Sequence, residues 1–199
     1  MTSPVRRLVG GVSIAIALGL AAALALPVSA AAADPVNLSA CNNAALSRAF
    51  TPWADPSSYE LAPGGDFESA AWTLEDGAQL TAGSEPYAAT GSLGDSSLLL
   101  PAGSSAESPL TCVDAAYPTV RFFMTGGGVV AVSVVDDGLA IPAGIAVATG
   151  DWQPTPVMMT ESPLLGVLSG GTAQMSLQLT ALAGDPQIDD VFIDPWNRG

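Results

Sequence analysis

In "AQMSLQLTA", residues 173–181, apolar and polar side chains alternate one by one, so Met175, Leu177 and Leu179 point one way while Ser176, Gln178 and Thr180 point the other. A period of two is that of a β-strand with one face on a core and the other in water. Short apolar runs of this kind recur along the chain. They predict strands at 58–61, 71–74, 78–81, 97–100, 110–113, 119–124, 129–135, 144–148, 156–160, 174–180 and 188–193. Turn-forming clusters separate them: "PGGD", "GSLGD", "PAGSSAESP", "TGGG", "DDG" and "SGG". Asp136, Asp137 and Gly138 predict a hairpin, since Asp-Gly supplies the positive φ angles a tight reversal needs. No long segment after residue 33 has helical period, and the strands recur about every ten residues. The expected fold is therefore all-β, a single antiparallel β-sandwich of the jelly-roll kind over residues 57–199.

The start of the chain has another character. "MTSPVRRLVGGVSIAIALGLAAALALPVSA" joins Arg6 and Arg7 to an apolar run and then to small residues, the pattern of a secretory signal peptide. Cleavage fits after Ala30 or after Ala33, so residues 1–33 are assigned to the leader. Residues 34–56 read as an irregular segment, with Phe50 and Trp53 expected to pin it onto the domain. "LSAC" has the form of a lipoprotein box, but "DPVN" separates it from the apolar run, which argues against acylation of Cys41. An exported chain with two cysteines is more simply read as holding a Cys41–Cys112 disulfide. Closing that loop is worth about 4 kcal/mol in the chain-entropy model. The protein is expected to be secreted, meeting the membrane only through its leader.

Charge then narrows the function. The chain carries 19 acids against 5 bases, a net charge of −14, and losing Arg6 and Arg7 with the leader makes it 3 − 19 = −16. Nucleic acid is excluded as a partner class, because binding it depends on neutralising phosphates with Lys and Arg. Histidine and lysine are both missing. No Ser-His-Asp triad, Cys-His pair or Schiff-base lysine can be built. What remains for catalysis is a carboxylate pair. What remains for metals is an oxygen-loving ion, and outside the cell that is calcium first.

Acids gather in "GDPQIDDVFIDP", residues 184–195. Strict alternation places Ile188, Asp190 and Phe192 on one face, and Asp189, Val191 and Ile193 on the other. Asp190 then shares a face with large apolar residues and needs a partner, Arg121 or a metal. Asp185 and Asp194, each followed by proline, read as turn residues.

"PGGDFESAAW", residues 63–72, and "QIDDVFIDP", residues 187–195, together resemble the first and last strands of galactose-binding-like jelly rolls, which include several carbohydrate-binding module families. That resemblance implies that the two strands lie side by side and that their acids hold a structural calcium. The matching positions are Glu68 and Asp190, with Asp189 and Asp66 beside them. The order of "EPY", "LPAGSSA", "YPT", "RFF" and the final "IDDV" is also similar to a group of secreted proteins of high-GC Gram-positive bacteria. It implies a fold and a compartment, supports the disulfide, and brings no activity.

Three functions follow in order of expectation. The first is a secreted non-catalytic module at the cell envelope that binds a glycan. The second is a structural or protein-binding envelope protein with no small ligand, and the third is a carboxylate-dependent glycan hydrolase. Trp72 and Trp152 are expected to pack the domain, and no ligand-binding residue is assigned.

Overall fold

The computed structural model describes residues 45–114, 119–136, 138–159 and 172–194, with 112–114 and 172–174 described through their backbone alone. Residues 1–33, expected as a leader, lie outside the described residues with Cys41, Asp137 and Trp196, as does the side chain of Cys112; leader and disulfide remain expectations.

Among the described residues, twelve strands form the fold: β1 (Leu46–Ser47), β2 (Tyr59–Leu61), β3 (Thr73–Glu75), β4 (Gln79–Ala82), β5 (Ser96–Leu99), β6 (Ser105–Glu107), β7 (Thr111–Asp114), β8 (Thr119–Asp136), β9 (Leu139–Pro154), β10 (Met158–Met159), β11 (Thr172–Gly184) and β12 (Gln187–Asp194). Every pairing among them is antiparallel, and the fold is all-β. One 3-10 turn, Thr51–Trp53, interrupts the N-terminal segment.

The long strand β8 organises the layers. Its first half pairs with β12, through Ile188 opposite Met124, and its second half pairs with β11, through Leu179 opposite Val132. Inward side chains of both halves, Val120, Phe122 and Met124 with Val130, Val132 and Val134, belong to one buried cluster with Leu98, Leu177, Leu179, Ile188 and Val191. The sheet thus folds over its own core. At "TGGG", which the sequence pattern assigns to a turn between two strands, the pairing of β8 with β9 shifts register between Met124 and Gly126. The glycines sit within β8, where the paired strand β11 approaches closely: a Cβ on Gly128 would lie 2.4 Å from the Ala183 carbonyl oxygen.

Along β11, Met175, Leu177 and Leu179 are buried against the core and Gln178 and Thr180 are half-buried, but Ser176, expected in water, is buried too, its hydroxyl donating to Glu107 Oε1. The β8–β9 hairpin closes as expected, with Asp136 opposite Leu139 and Gly138 at φ 79°. Asp185 does lie in the connection between β11 and β12, whereas Asp194 is the last residue of β12, paired with Thr119. Strand β6, inside the presumed turn "PAGSSAESP", was not foreseen: it pairs with both β3 and β11 and buries Ala106.

Residues 63–72, expected as the strand beside β12, form turns instead, and the strand that lies beside β12 is β2, just before them. Phe192 faces Leu61, and past the end of β2 the Val191 carbonyl accepts from Ala62 N while Val191 N donates to the Gly65 carbonyl. A second apolar cluster, Phe50, Tyr59, Phe123 and Phe192, covers the outer face of this region. The N-terminal segment supplies Phe50, fully buried, with Trp53 packed against the same cluster. Trp72 is buried in the main core and Trp152 is half-buried beside the second cluster.

Candidate functional site

The acids of β12 are buried, but not in the arrangement strict alternation implies. The register against β8 shifts between Asp189 and Phe192, and Asp190 adopts φ 46°. This is a β-bulge, with one extra residue in the strand. Ile188, Val191 and Ile193 all reach the main core, while Phe192 joins the outer aromatic cluster. The expected face of Ile188, Asp190 and Phe192 does not form, because the backbone of Val191 is captured by Ala62 and Gly65.

Asp189 is 1% exposed and fully engaged. Its Oδ2 accepts from the Ser84 hydroxyl at 2.7 Å and from Glu85 N at 2.8 Å; its Oδ1 accepts from Asp190 N at 2.9 Å. Glu85, equally buried, caps the next turn: Oε1 accepts from Ala89 N at 2.7 Å and Oε2 from Tyr87 N. Asp190, 3% exposed, is hydrogen-bonded to the Glu85 carboxyl and feels the charges of Asp189, Glu85 and Asp66. Burial, then the charges of Asp189 and Glu85, push the Asp190 carboxyl up to about 8. Burial pushes Asp189 up to about 6, against the hydrogen bonds from Ser84, Glu85 and Asp190. A buried acid beside another acid holds a proton unless a cation replaces it.

Two expected partners lie elsewhere. Glu68 is exposed, and its Oε1 accepts from Asp95 N at 2.8 Å and Ser96 N at 2.9 Å. Arg121 does not serve Asp190. It is buried on β8 and pairs with Asp55 at 2.6 Å, donates through Nε to the Thr155 carbonyl at 3.0 Å, and lies 4.2 Å from the centre of the Phe50 ring. Asp66 is half-buried and accepts from Glu68 N. Among the described residues, no group of three or more Asp, Glu, Cys or His side chains stands ready to hold a metal ion. The donors around Asp190 are nonetheless all oxygen, the chemistry calcium takes.

Both pinned segments border one depression of about 600 Å³, lined by Ser47, Arg48, Ala49, Pro52, Trp53, Tyr87, Ala88 and Ala89. That volume is within the usual range of small-ligand sites. Trp53 and Tyr87 meet edge to face, with ring centres 4.9 Å apart. Each ring also packs on Phe123, at 5.3 and 5.6 Å. The Tyr87 hydroxyl donates to the Trp152 carbonyl at 2.7 Å, yet the residue remains 42% exposed. Asp189 and Glu85 thus hold the loop that presents Tyr87, while Asp55 and Arg121 hold the segment that presents Trp53. "EPY" carried a signal for this site, but nothing local in it shows that Glu85 is buried.

No family model matches the chain, and no curated protein does. Among solved structures the chain is similar to a family 35 carbohydrate-binding module from Clostridium thermocellum, with 16% identity over 69% of this chain and 98% of that one and a TM-score of 0.44. It is similar to TmCBM61, solved in complex with β-1,4-galactotriose, with 19% identity over 67% and 96% and a TM-score of 0.43. A third is the K3 cleaved adhesin domain of Lys-gingipain from Porphyromonas gingivalis, with 14% identity over 65% and 97% and a TM-score of 0.44.

Proposed function

We propose that the chain is a secreted, non-catalytic β-sandwich module of the cell envelope that binds a glycan against Trp53 and Tyr87. The observation that carries this reading is the rigid aromatic corner in a depression of ligand size. Sugar rings present apolar C–H faces and hydroxyl edges, and an aromatic wall with polar rims suits both. Hydrolysis is disfavoured, since a glycosidase needs two carboxyls flanking its substrate, about 5–9.5 Å apart. The three acids that do cluster are closed off from solvent, and among the described residues lining the depression none is an acid. A polysaccharide array with calcium present is expected to give binding that Trp53→Ala weakens by at least tenfold, about 1.4 kcal/mol. Wild-type protein that binds no polysaccharide overturns the proposal.

One observation favours the protein-binding alternative. Ile145 and Val147, 61% and 60% exposed, share a face of β9, which among the described strands pairs only with β8. A long uncovered edge is a template for further pairing. Absence of glycan binding together with self-association would favour this reading.

Calcium enters the proposal in a narrower form than the sequence suggested. Asp190 and Asp66 would hold the ion, with Glu85 kept on the backbone of Tyr87 and Ala89, and Glu68 is left to the loop at Asp95. The ion would meet the demand of Asp190 for a positive partner. Melting in calcium against melting in chelator tests this. At a hundredfold excess over Kd the ion stabilises by about 2.7 kcal/mol. Because calcium displaces the Asp190 proton, the shift is expected to be larger at pH 8.5 than at pH 6. No shift at either pH overturns calcium binding at Asp190.

A further inference from the structure

We propose that the Trp53–Tyr87 depression selects sugars that carry a negative charge, and that Arg48 reads that charge. The inference rests on the glycan-binding reading above and names the ligand class within it. Its ground is a contrast in the placement of charge. The chain has 19 acids and 5 bases, yet the charged residue among the described lining of the depression is an arginine.

The other bases are committed elsewhere or lie outside the described residues. Arg6 and Arg7 belong to the leader, Arg198 is beyond the described C-terminal strand, and Arg121 is buried against Asp55. Arg48 is exposed, and among the described residues it has no ion-pair partner in a protein full of acids. Its backbone is also fixed. The Arg48 carbonyl accepts from Thr51 N at 3.2 Å and from the Thr51 hydroxyl at 3.0 Å, which ties it to the 3-10 turn carrying Trp53. Arg48 and Trp53 therefore come from one segment and line the same depression.

A guanidinium matches a carboxylate or a phosphate through two parallel hydrogen bonds, whereas sugar hydroxyls offer it single bonds of ordinary strength. The net charge of −14 repels anions from the molecule as a whole. Among the described residues, the exposed positive charge available to an anionic sugar is that of Arg48, within a chain whose net charge is negative.

Calorimetric titration of the mature chain tests this with uronic-acid oligosaccharides, the same oligosaccharides after methyl esterification, and sugar phosphates. Esterification removes the charge and keeps the ring. The free acid is expected to bind at least tenfold more tightly than its ester, and Arg48→Gln is expected to bring the two to the same affinity. A sugar phosphate that binds more tightly than the uronate supports the inference and assigns the charge to phosphate. Equal binding of acid and ester, or a preference that survives in Arg48→Gln, overturns the inference and leaves glycan binding standing. Binding of no sugar at all overturns both, and a melting curve for Arg48→Gln separates loss of selectivity from loss of fold.

Discussion

Asp55→Ala is expected to lower stability by about 3–5 kcal/mol, because it leaves the Arg121 guanidinium buried without its counter-charge. Arg121 is 6% exposed, and its other contacts are a carbonyl oxygen and the face of Phe50. Neither contact neutralises a cation. Asp55 is suited to the role: burial pushes its carboxyl up, but hydrogen bonds from Tyr59, Ser57 and Arg121 outweigh that and hold it below the usual range. Its contribution is therefore present above the ordinary carboxylate range and lost as pH falls through the lowered value. For a domain of this size the melting temperature should drop by roughly 6–20 °C. Replacing both partners, Asp55→Ala with Arg121→Met, should recover much of the loss, since no buried charge is then left alone. The same single variant should weaken glycan binding below its melting point, because Trp53 and Arg48 follow the segment that Asp55 anchors. A loss under 1 kcal/mol would show that water reaches the guanidinium and that the anchor is a surface pair.

That pair shows where sequence reasoning stops. Asp55 and Arg121 are distant in the chain, and neither lies in a pattern that announces the other. Strand β11 was legible because its alternation is local. Strand β6 was not, since a single alanine is buried in "SAE" and the strand exists because β3 and β11 flank it. The glycines of β8 mark a real irregularity, but a register shift inside a strand and a turn have the same composition; pairing with β9 and β11 decides between them. The same holds at Asp190. Alternation describes the strand up to Asp189 and then fails, where the backbone of Val191 bonds to Ala62 and Gly65 past the end of β2. The meeting of "GDFE" with "IDDV" was legible, but the acid that completes the cluster, Glu85, comes from a third segment.

With calcium removed, the stability of the wild type is expected to fall as pH rises from about 4 to about 8. The unfolded chain releases the Asp190 proton near pH 3.9, whereas the folded chain keeps it up to about 8 and keeps that of Asp189 up to about 6. Between those limits the folded state binds more protons than the unfolded state, so raising the pH favours unfolding, by up to about 1.4 kcal/mol per pH unit for each excess proton. Above pH 8 the contribution of Asp190 is lost and the curve should level. Asp190→Asn should remove most of this slope and stabilise the protein by a few kcal/mol at pH 8. The amide is neutral at every pH, and asparagine tolerates the left-handed backbone at φ 46° better than most residues. Chemical denaturation at pH 5, 6.5 and 8 in chelator checks both statements. A variant that keeps the wild-type slope would place the titration on another group. The result also bears on why an acid stands there. If asparagine is the more stable choice without calcium, the carboxylate is a cost that only a bound cation reverses. Asp190→Asn should then be insensitive to calcium while the wild type gains stability from it.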